Sequence, residues 1–406
     1  MSSLVRSVLR DGKELLSYDE PLDAELWASD VLGLWYKVPI SPVDREDFEK
    51  RIREQVVVTA ETEASAESVA VLSALAAMDP DPLAGPAAAA VSRLRSAGIG
   101  TPPWQAALQD GPQALGAWML SDPYGDQDGY YIDFCYPGGE RHAIGALVDQ
   151  TIGGICKDAF LVDSTDVVRK AAEADGEVTV RDIDAVDAAA LVLQAIETGD
   201  TYVDNDWIPE FKATRALLRA RMHRLSPTRG AHYREPLSNR DRDAIAQEFL
   251  RSADVEDLDV AERIVELAID YACDYTPDGD PYRWSPTVVE VFLLGWLPRQ
   301  ALLDIGEVRG VPSVLKLWVE FAASKRGLDD PLVEETTRAI DAFEPPFLKA
   351  ATDQKSLGPS KAIANAMMAS GVDLSDQAAV SAWIEEFNSR PFEERDELLG
   401  PAIDPD

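Results

Sequence analysis

A run of aromatic and β-branched residues, Tyr130-Tyr131-Ile132-Asp133-Phe134-Cys135-Tyr136, interrupts a chain whose other apolar residues recur at helical spacing. Such residues favour strands, and Pro137-Gly138-Gly139-Glu140 directly after them is typical of a turn. Two further apolar segments, 143–148 and 155–162, follow closely. The pattern predicts a small three-stranded antiparallel β-meander within residues 117–165, covered by helices because a small sheet is not stable alone.

Helical spacing dominates on both sides of this predicted sheet. Ser285-Pro286 reads as an N-cap followed by proline at the first helical position, and four apolar residues late in the chain follow i, i+3, i+4, i+7 spacing: Val380, Trp383, Ile384 and Phe387. We therefore predict an α+β protein that is predominantly α-helical. The predicted organisation is an N-terminal helical segment at 1–105, the sheet with covering helices at 106–225, a basic hinge at 226–240 and a C-terminal helical domain at 241–406.

Charge and cysteine content exclude several classes of protein. The 406 residues include 73 Asp and Glu against 38 Lys and Arg, for a net charge of −35, which repels nucleic-acid phosphate and anionic lipid. Three cysteines without a C-x-x-C pair do not form a disulfide framework or a cysteine zinc site. The N-terminal residues lack the apolar segment of a signal peptide, and the longest apolar run, 288–297, is too short for a membrane span. We expect a soluble cytoplasmic protein with no membrane contact.

Three segments carry a resemblance to a known group of proteins: residues 122–163, Gly358-Pro359-Ser360-Lys361-Ala362 and Gly371-Val372-Asp373-Leu374-Ser375. Together they resemble a widespread group of uncharacterised actinobacterial proteins, in phrases such as Asp122-Pro123-Tyr124-Gly125-Asp126-Gln127-Asp128, and the resemblance spans most of the chain. It implies a bacterial, cytosolic origin, and it implies no mechanism.

Asp122, Asp126 and Asp128 lie on one loop that contains Gly and Pro, just before the first predicted strand. Three carboxylates on one loop could bind Mg²⁺ or Ca²⁺, because these hard cations prefer oxygen ligands. The loop is not an EF-hand, since Cys135 stands where the bidentate glutamate is required. The alternative is an ordinary turn, because Asp, Gly and Pro are the residues that turns select. The same spacing recurs at Asp274, Asp278 and Asp280.

His142 and Asp149 flank the second predicted strand, close in sequence to this loop. An imidazole and carboxylates are the groups that general acid–base catalysis uses, so these two residues are the catalytic candidates. The alternative is that His142 is a satisfied strand residue and that Asp149 simply ends its strand.

The segment 212–242 is basic although the whole chain is acidic. It carries nine basic residues against two acidic ones, and the candidates for binding an anion or a partner are Arg215, Arg219, Arg221 and Arg224. Clustered arginines are typical of a contact with nucleic acid or phosphate. The alternative is that this segment pairs internally with acidic helices and holds two halves of the protein together.

The sequence contains no G-x-S-x-G, no Walker A motif and no G-x-G-x-x-G that opens a helix. The leading hypothesis is therefore a non-enzymatic interaction or regulatory protein whose partner is another protein. One alternative is a Mg²⁺- or Ca²⁺-dependent hydrolytic enzyme centred on the Asp loop 122–128. Another is a nucleic-acid-associated protein that binds through segment 212–242.

Overall fold

The computed structural model of the chain describes residues 2–34, 41–79, 85–201, 209–225, 227, 236–352, 363, 366–373, 376–391 and 394–395. These residues form two compact units, an N-terminal unit (Met1–Arg234) and a C-terminal unit (Glu235–Asp406). Most of the predicted basic hinge 226–240 lies outside the described residues. So do two parts of the actinobacterial resemblance, 358–362 and 374–375. The four-segment division made from the sequence stays a prediction.

The N-terminal unit is mostly helical, and its helices begin at recognisable caps. Ser41, Ser65 and Asp184 each accept a hydrogen bond from a backbone N–H of the first helical turn that follows, which satisfies a donor that has no partner within the helix. The described helices are α1 (Ser2–Asp11), a 3₁₀ turn (Glu14–Ser17), α2 (Pro21–Gly33), α3 (Pro42–Glu63), α4 (Ala66–Ala77), α5 (Pro86–Ser96), α6 (Gln105–Asp110), α7 (Asp166–Asp175), α8 (Ala185–Asp200) and α9 (Pro209–Arg224).

The described part of this unit contains one antiparallel sheet of five strands, so the predicted three-stranded meander is wrong in strand number. The strands are β1 (Gln113–Ser121), β2 (Gln127–Cys135), β3 (Arg141–Asp149), β4 (Ile155–Val162) and β5 (Thr179–Asp182), in the order β4-β3-β2-β1-β5. The three predicted strands are β2, β3 and β4. The sequence missed β1, in which a register shift between Ala114 and Gly116 breaks the alternation, and β5, which has only four residues.

Both faces of the sheet are packed. The inner face contributes Met119, Ile132 and Ile144 to an apolar core shared with the helices. On the outer face, Trp118 stacks on Tyr131 at 4.1 Å between ring centroids. Helix α9 covers the edge strand β4, where the Thr214 hydroxyl donates to the Ala159 carbonyl at 2.9 Å. A covered edge cannot pair with another chain.

Helix α9 is the element that joins the parts of the N-terminal unit. It packs on α2 and on β4, and its contact with α2 is close enough that a Cβ on Gly33 would lie 2.3 Å from the carbonyl oxygen of Lys212. One helical turn before Gly33, the Ser29 hydroxyl donates to the Ala213 carbonyl at 2.5 Å. The side chains of α9 therefore have fixed positions relative to α2 and the sheet.

The C-terminal unit is helical throughout its described part and has its own apolar core. Ser285 caps a helix that starts at Pro286, as the sequence predicts, and Phe249, Trp284 and Trp318 are buried in the core. Its helices are α10 (Asn239–Ser252), α11 (Leu258–Tyr275), α12 (Pro286–Glu290), a π-helical segment (Val291–Trp296), α13 (Leu297–Gln300), α14 (Ile305–Arg326), α15 (Asp330–Thr352) and α16 (Gln377–Ser389). None of the described helices of either unit is long and apolar enough to cross a membrane.

Candidate functional site

The Asp loop connects β1 to β2, and its carboxylates make hydrogen bonds within the turns at this end of the sheet. Asp122 accepts from the backbone N–H groups of Tyr124 at 2.8 Å and Gln127 at 2.5 Å. Asp128 accepts from the Ser121 hydroxyl and from the Gln150 side-chain amide, the latter at 2.9 Å. The backbone carbonyl of Asp126 accepts from Gln150 N–H at 2.8 Å. These contacts are those of a structural turn.

Asp149 lies beside this loop, as the last residue of β3. Its carboxylate accepts from Lys157 Nζ at 2.9 Å and from the Thr151 hydroxyl at 2.6 Å. Burial acts to raise the pKa of Asp149, but the hydrogen bonds from Thr151 and Lys157 outweigh burial, so the pKa lies below its ordinary value. Within the residues that the structure describes, no group of three or more His, Cys, Asp or Glu side chains could hold a metal ion.

The Asp274 loop has the same sequence spacing, and its carboxylates also have protein partners. Asp274 forms an ion pair with Arg242 at 2.5 Å, and Asp278 forms one with Arg283 at 2.9 Å. Asp280 accepts from Tyr282 N–H at 3.1 Å. This loop is therefore a turn that anchors two arginines of the C-terminal unit.

His142 lies at the other end of β3, in a buried polar cluster with Glu25, Tyr136 and Arg221. All four side chains are at most 2% exposed. Arg221 donates from Nη1 to Glu25 Oε1 at 2.8 Å, from Nη2 to the Tyr136 hydroxyl at 2.7 Å and from Nε to His142 Nε2 at 3.2 Å. The Tyr136 hydroxyl in turn donates to Glu25. We name these four residues the Glu25–Arg221 cluster.

The structure does not bring His142 together with Asp149 or with the Asp loop. His142 and Asp149 are seven residues apart on one strand, which corresponds to about 23 Å at the rise of an extended chain. Asp128 pairs with Val148, next to Asp149, whereas His142 pairs with Phe134 near the far end of β2. The two catalytic candidates therefore lie at opposite ends of the sheet.

The environment of His142 keeps its imidazole neutral. Burial, together with the nearby charge of Arg221, lowers the pKa of His142 to about 3. Because Nε2 accepts from Arg221, the neutral ring carries its proton on Nδ1, and this buried nitrogen has no hydrogen-bond partner among the described residues. A positive charge on this ring would lie beside a guanidinium at a position that is closed to bulk solvent.

A pH dependence of stability follows from this lowered pKa. An unfolded histidine takes up a proton near pH 6.5, whereas folded His142 stays neutral down to pH about 3. The stability contributed by His142 is therefore complete above pH 6.5 and falls by at most about 1.4 kcal/mol per pH unit as the pH decreases toward 3. We expect His142→Gln to flatten the pH dependence of the free energy of unfolding between pH 6.5 and 5, measured by urea titration. Parallel curves for the variant and the wild type would contradict a neutral buried His142.

Three of the four candidate arginines have partners inside the N-terminal unit. Arg221 belongs to the buried cluster, Arg215 forms an ion pair with Asp200, and Arg224 donates to the Leu108 carbonyl at 2.9 Å. Arg215 and Arg221 are at most 3% exposed, so a phosphate backbone cannot reach them. The contacts of Arg221, Arg224 and Arg215 join α9 to α2, α6 and α8, respectively. This is internal pairing, the alternative to an anion contact that the sequence left open.

Arg219 has a different environment, because it lines a cavity of about 380 Å³ in the N-terminal unit. Helices α3 and α9 each present one face to this cavity, and the end of α4 and the start of α5 complete it. The described lining residues are Glu49, Lys50, Arg53, Glu54, Val57, Leu75, Met78, Asp79, Pro86, Ala87, Arg215, Ala216, Arg219 and His223. Six of these side chains are apolar and eight are charged or titratable, and a small-molecule site likewise combines an apolar wall with polar groups that orient the ligand.

Sequence reasoning missed this cavity because it treated the basic segment as one set of cations. Arg215, Arg219 and His223 follow i, i+4, i+8 spacing and share one face of α9. Arg221 comes two residues after Arg219, which turns it to the other side of the helix, where the buried cluster lies. The spacing separates the two groups, but it does not show that α3, α4 and α5 close a cavity around the first.

Comparisons of this chain with protein-family models, with curated proteins and with solved structures find no match.

Proposed function

We propose that the protein is a non-enzymatic binding protein with a regulatory or interaction role, and that its N-terminal unit binds a small molecule in the α3–α9 cavity. The observation that carries this proposal is the cavity itself, which at about 380 Å³ falls within the range of about 300–1,000 Å³ that is common for ligand sites. The residues that line the cavity lie on or next to four helices, and these helices pack on one shared core.

The wall of the cavity supports binding of a largely apolar molecule. Six lining side chains are apolar, namely Val57, Leu75, Met78, Pro86, Ala87 and Ala216. Removing apolar surface from water contributes about 25 cal/mol per Å². The same wall carries charged groups that can orient a ligand, so it offers both the affinity and the specificity that a binding site requires.

The position of the cavity suits a regulatory role. Helix α9 forms one wall and also carries the arginine of the Glu25–Arg221 cluster and the contacts to the sheet. A ligand that contacts α9 would therefore act on the element that joins α2, α8 and the sheet. Such a ligand can shift the equilibrium between two conformations of the protein only if it binds one conformation more tightly than the other.

The test is a thermal unfolding screen of a small-molecule library against the full-length protein and an Ala216→Trp variant, whose indole would fill the cavity. A ligand at 100 times its dissociation constant stabilises the native state by about 2.7 kcal/mol. We expect hits that raise the unfolding midpoint of the wild type and have no effect on Ala216→Trp. The matched control is Ala174→Trp, on the exposed face of α7, which should respond like the wild type.

Two outcomes would contradict the proposal. One is a library without any stabilising ligand for the wild type. The other is hits that stabilise Ala216→Trp as strongly as Ala174→Trp, since such ligands would bind outside the cavity. A cytoplasmic location and a protein partner, both expected from the sequence, stay predictions.

A further inference from the structure

From the charges that line the α3–α9 cavity we infer that its ligand is a small organic anion, with a carboxylate or phosphate head bound by Arg219 and an apolar body. This inference deepens the proposed function and rests on it. It concerns the chemical class of the molecule that the cavity binds.

Two of the four described Lys and Arg side chains around the cavity already have carboxylate partners. Arg53 forms ion pairs with Glu49 at 3.0 Å and with Asp79 at 2.5 Å. Arg215 forms an ion pair with Asp200. These two guanidinium groups are therefore neutralised from within the protein.

Arg219 is the exception among the described arginines of the wall. It is half-buried, its Nε atom is buried without a hydrogen-bond partner, and no described carboxylate forms an ion pair with it. Because this Nε is closed to solvent, a ligand would bind the other nitrogens of the half-buried guanidinium, and a carboxylate or phosphate suits them best because it can accept two parallel hydrogen bonds.

Lys50 and Glu54 do not cancel this preference. Both are exposed side chains one turn apart on α3, and water screens exposed charges. Arg219 is itself half-buried, so water screens its charge less than that of an exposed side chain and the attraction of an anion is stronger.

The apolar wall and the overall charge of the protein limit the size of the anion. A net charge of −35 repels a polyanion such as nucleic acid at long range. A molecule with one anionic head loses little to this repulsion, and its apolar body can pack on Val57, Leu75 and Met78. The expected ligand is therefore an amphipathic molecule with one head group.

The experiment compares three probes that share one apolar body, namely 2-naphthol, 2-naphthoate and 2-naphthyl phosphate, in fluorescence titrations of the full-length protein. We expect one or both anions to bind about tenfold more tightly than the neutral alcohol, which corresponds to a difference of about 1.4 kcal/mol in binding free energy. The comparison of the two anions identifies the head group. Arg219→Gln should abolish the preference for the anion, and a urea-unfolding transition like that of the wild type would show that the variant is folded.

The matched control is Arg95→Gln, which changes the net charge equally at an exposed position of α5 outside the lining residues and should keep the preference for the anion.

Equal affinities for 2-naphthol and both anions, or a preference that survives in Arg219→Gln, would overturn the inference while the cavity proposal stands. If no probe binds, or if Ala216→Trp binds 2-naphthol as well as the wild type does, the proposed function itself fails for these probes and the inference with it. If Arg219→Gln does not fold, Arg219→Lys replaces it. We expect Arg219→Lys to prefer the anion over 2-naphthol less strongly than the wild type does. A preference as large as that of the wild type would count against two-point recognition by the guanidinium.

Discussion

Removing one partner of the Glu25–Arg221 pair is expected to lower the free energy of unfolding of the N-terminal unit by about 3–5 kcal/mol. Both side chains are fully buried, so Glu25→Leu leaves a guanidinium, and Arg221→Met leaves a carboxylate, without its counter-charge in a site that excludes water. The measurement is hydrogen exchange of the amides of β2 and β3 in increasing urea, because these amides report on the N-terminal unit alone.

The double variant Glu25→Leu/Arg221→Met separates the cost of an unpaired charge from the value of the pair. It leaves no buried charge at this position, so we expect it to be more stable than either single variant. The control is Arg93→Met, which removes an ion pair with Glu61 that is exposed on the arginine side and should leave stability unchanged within error. Losses that simply add in the double variant would show that the two side chains do not interact as the cluster geometry requires.

Gly33→Ala is expected to destabilise the N-terminal unit by about 3 kcal/mol, at the upper end of what overpacking costs. Alanine in place of glycine ordinarily stabilises a helix by roughly 0.5–1 kcal/mol. At the end of α2 the sign reverses, because the added methyl group would meet the carbonyl oxygen of Lys212 at 2.3 Å and its carbonyl carbon at 2.9 Å. These are backbone atoms of α9, so a rotamer change cannot relieve the clash and the two helices must separate.

The matched control is Gly295→Ala in the π-helical segment of the C-terminal unit. A Cβ there has its nearest neighbour, Val291 Cγ1, at 4.0 Å, so we expect no loss of stability. Urea unfolding followed by exchange of the α2 and α9 amides tests the first variant, and exchange of the α11 and α14 amides tests the second. A Gly33→Ala protein as stable as the wild type would mean that α2 and α9 do not approach each other this closely.

Local patterns in the sequence predicted much of the fold. The helix that begins at Ser285-Pro286 and the late helix that carries Trp383 and Phe387 are both present, because caps and apolar periodicity act within one or two helical turns. Strands β2, β3 and β4 were predicted for the same reason. Strands β1 and β5 were missed, because a strand with a register shift and a four-residue strand gain their stability from neighbours that are distant in the sequence.

The candidate site was predictable only in part. The sequence identified the arginines of α9 as unusual and offered internal pairing as an alternative to an anion contact. The sequence did not show which of these arginines are paired internally and which lines a cavity. Glu25 lies 196 residues from Arg221, and no local pattern shows that the two meet. Asp122 shows the opposite case, because its carboxylate accepts hydrogen bonds from backbone N–H groups two and five residues later in the same turn.

The sequence by itself determined the mostly helical class, the position of the central strands, the strongly acidic surface and the starts of several helices. Each of these follows from residue composition or from interactions between near neighbours in the chain. Only the tertiary structure decided the five-strand order, the burial of His142 beside Arg221, and the cavity in which Arg219 has no ion-pair partner among the described residues. The physical reason is that burial and charge pairing depend on which distant segments pack together, and α9 contacts partners from three different parts of the chain.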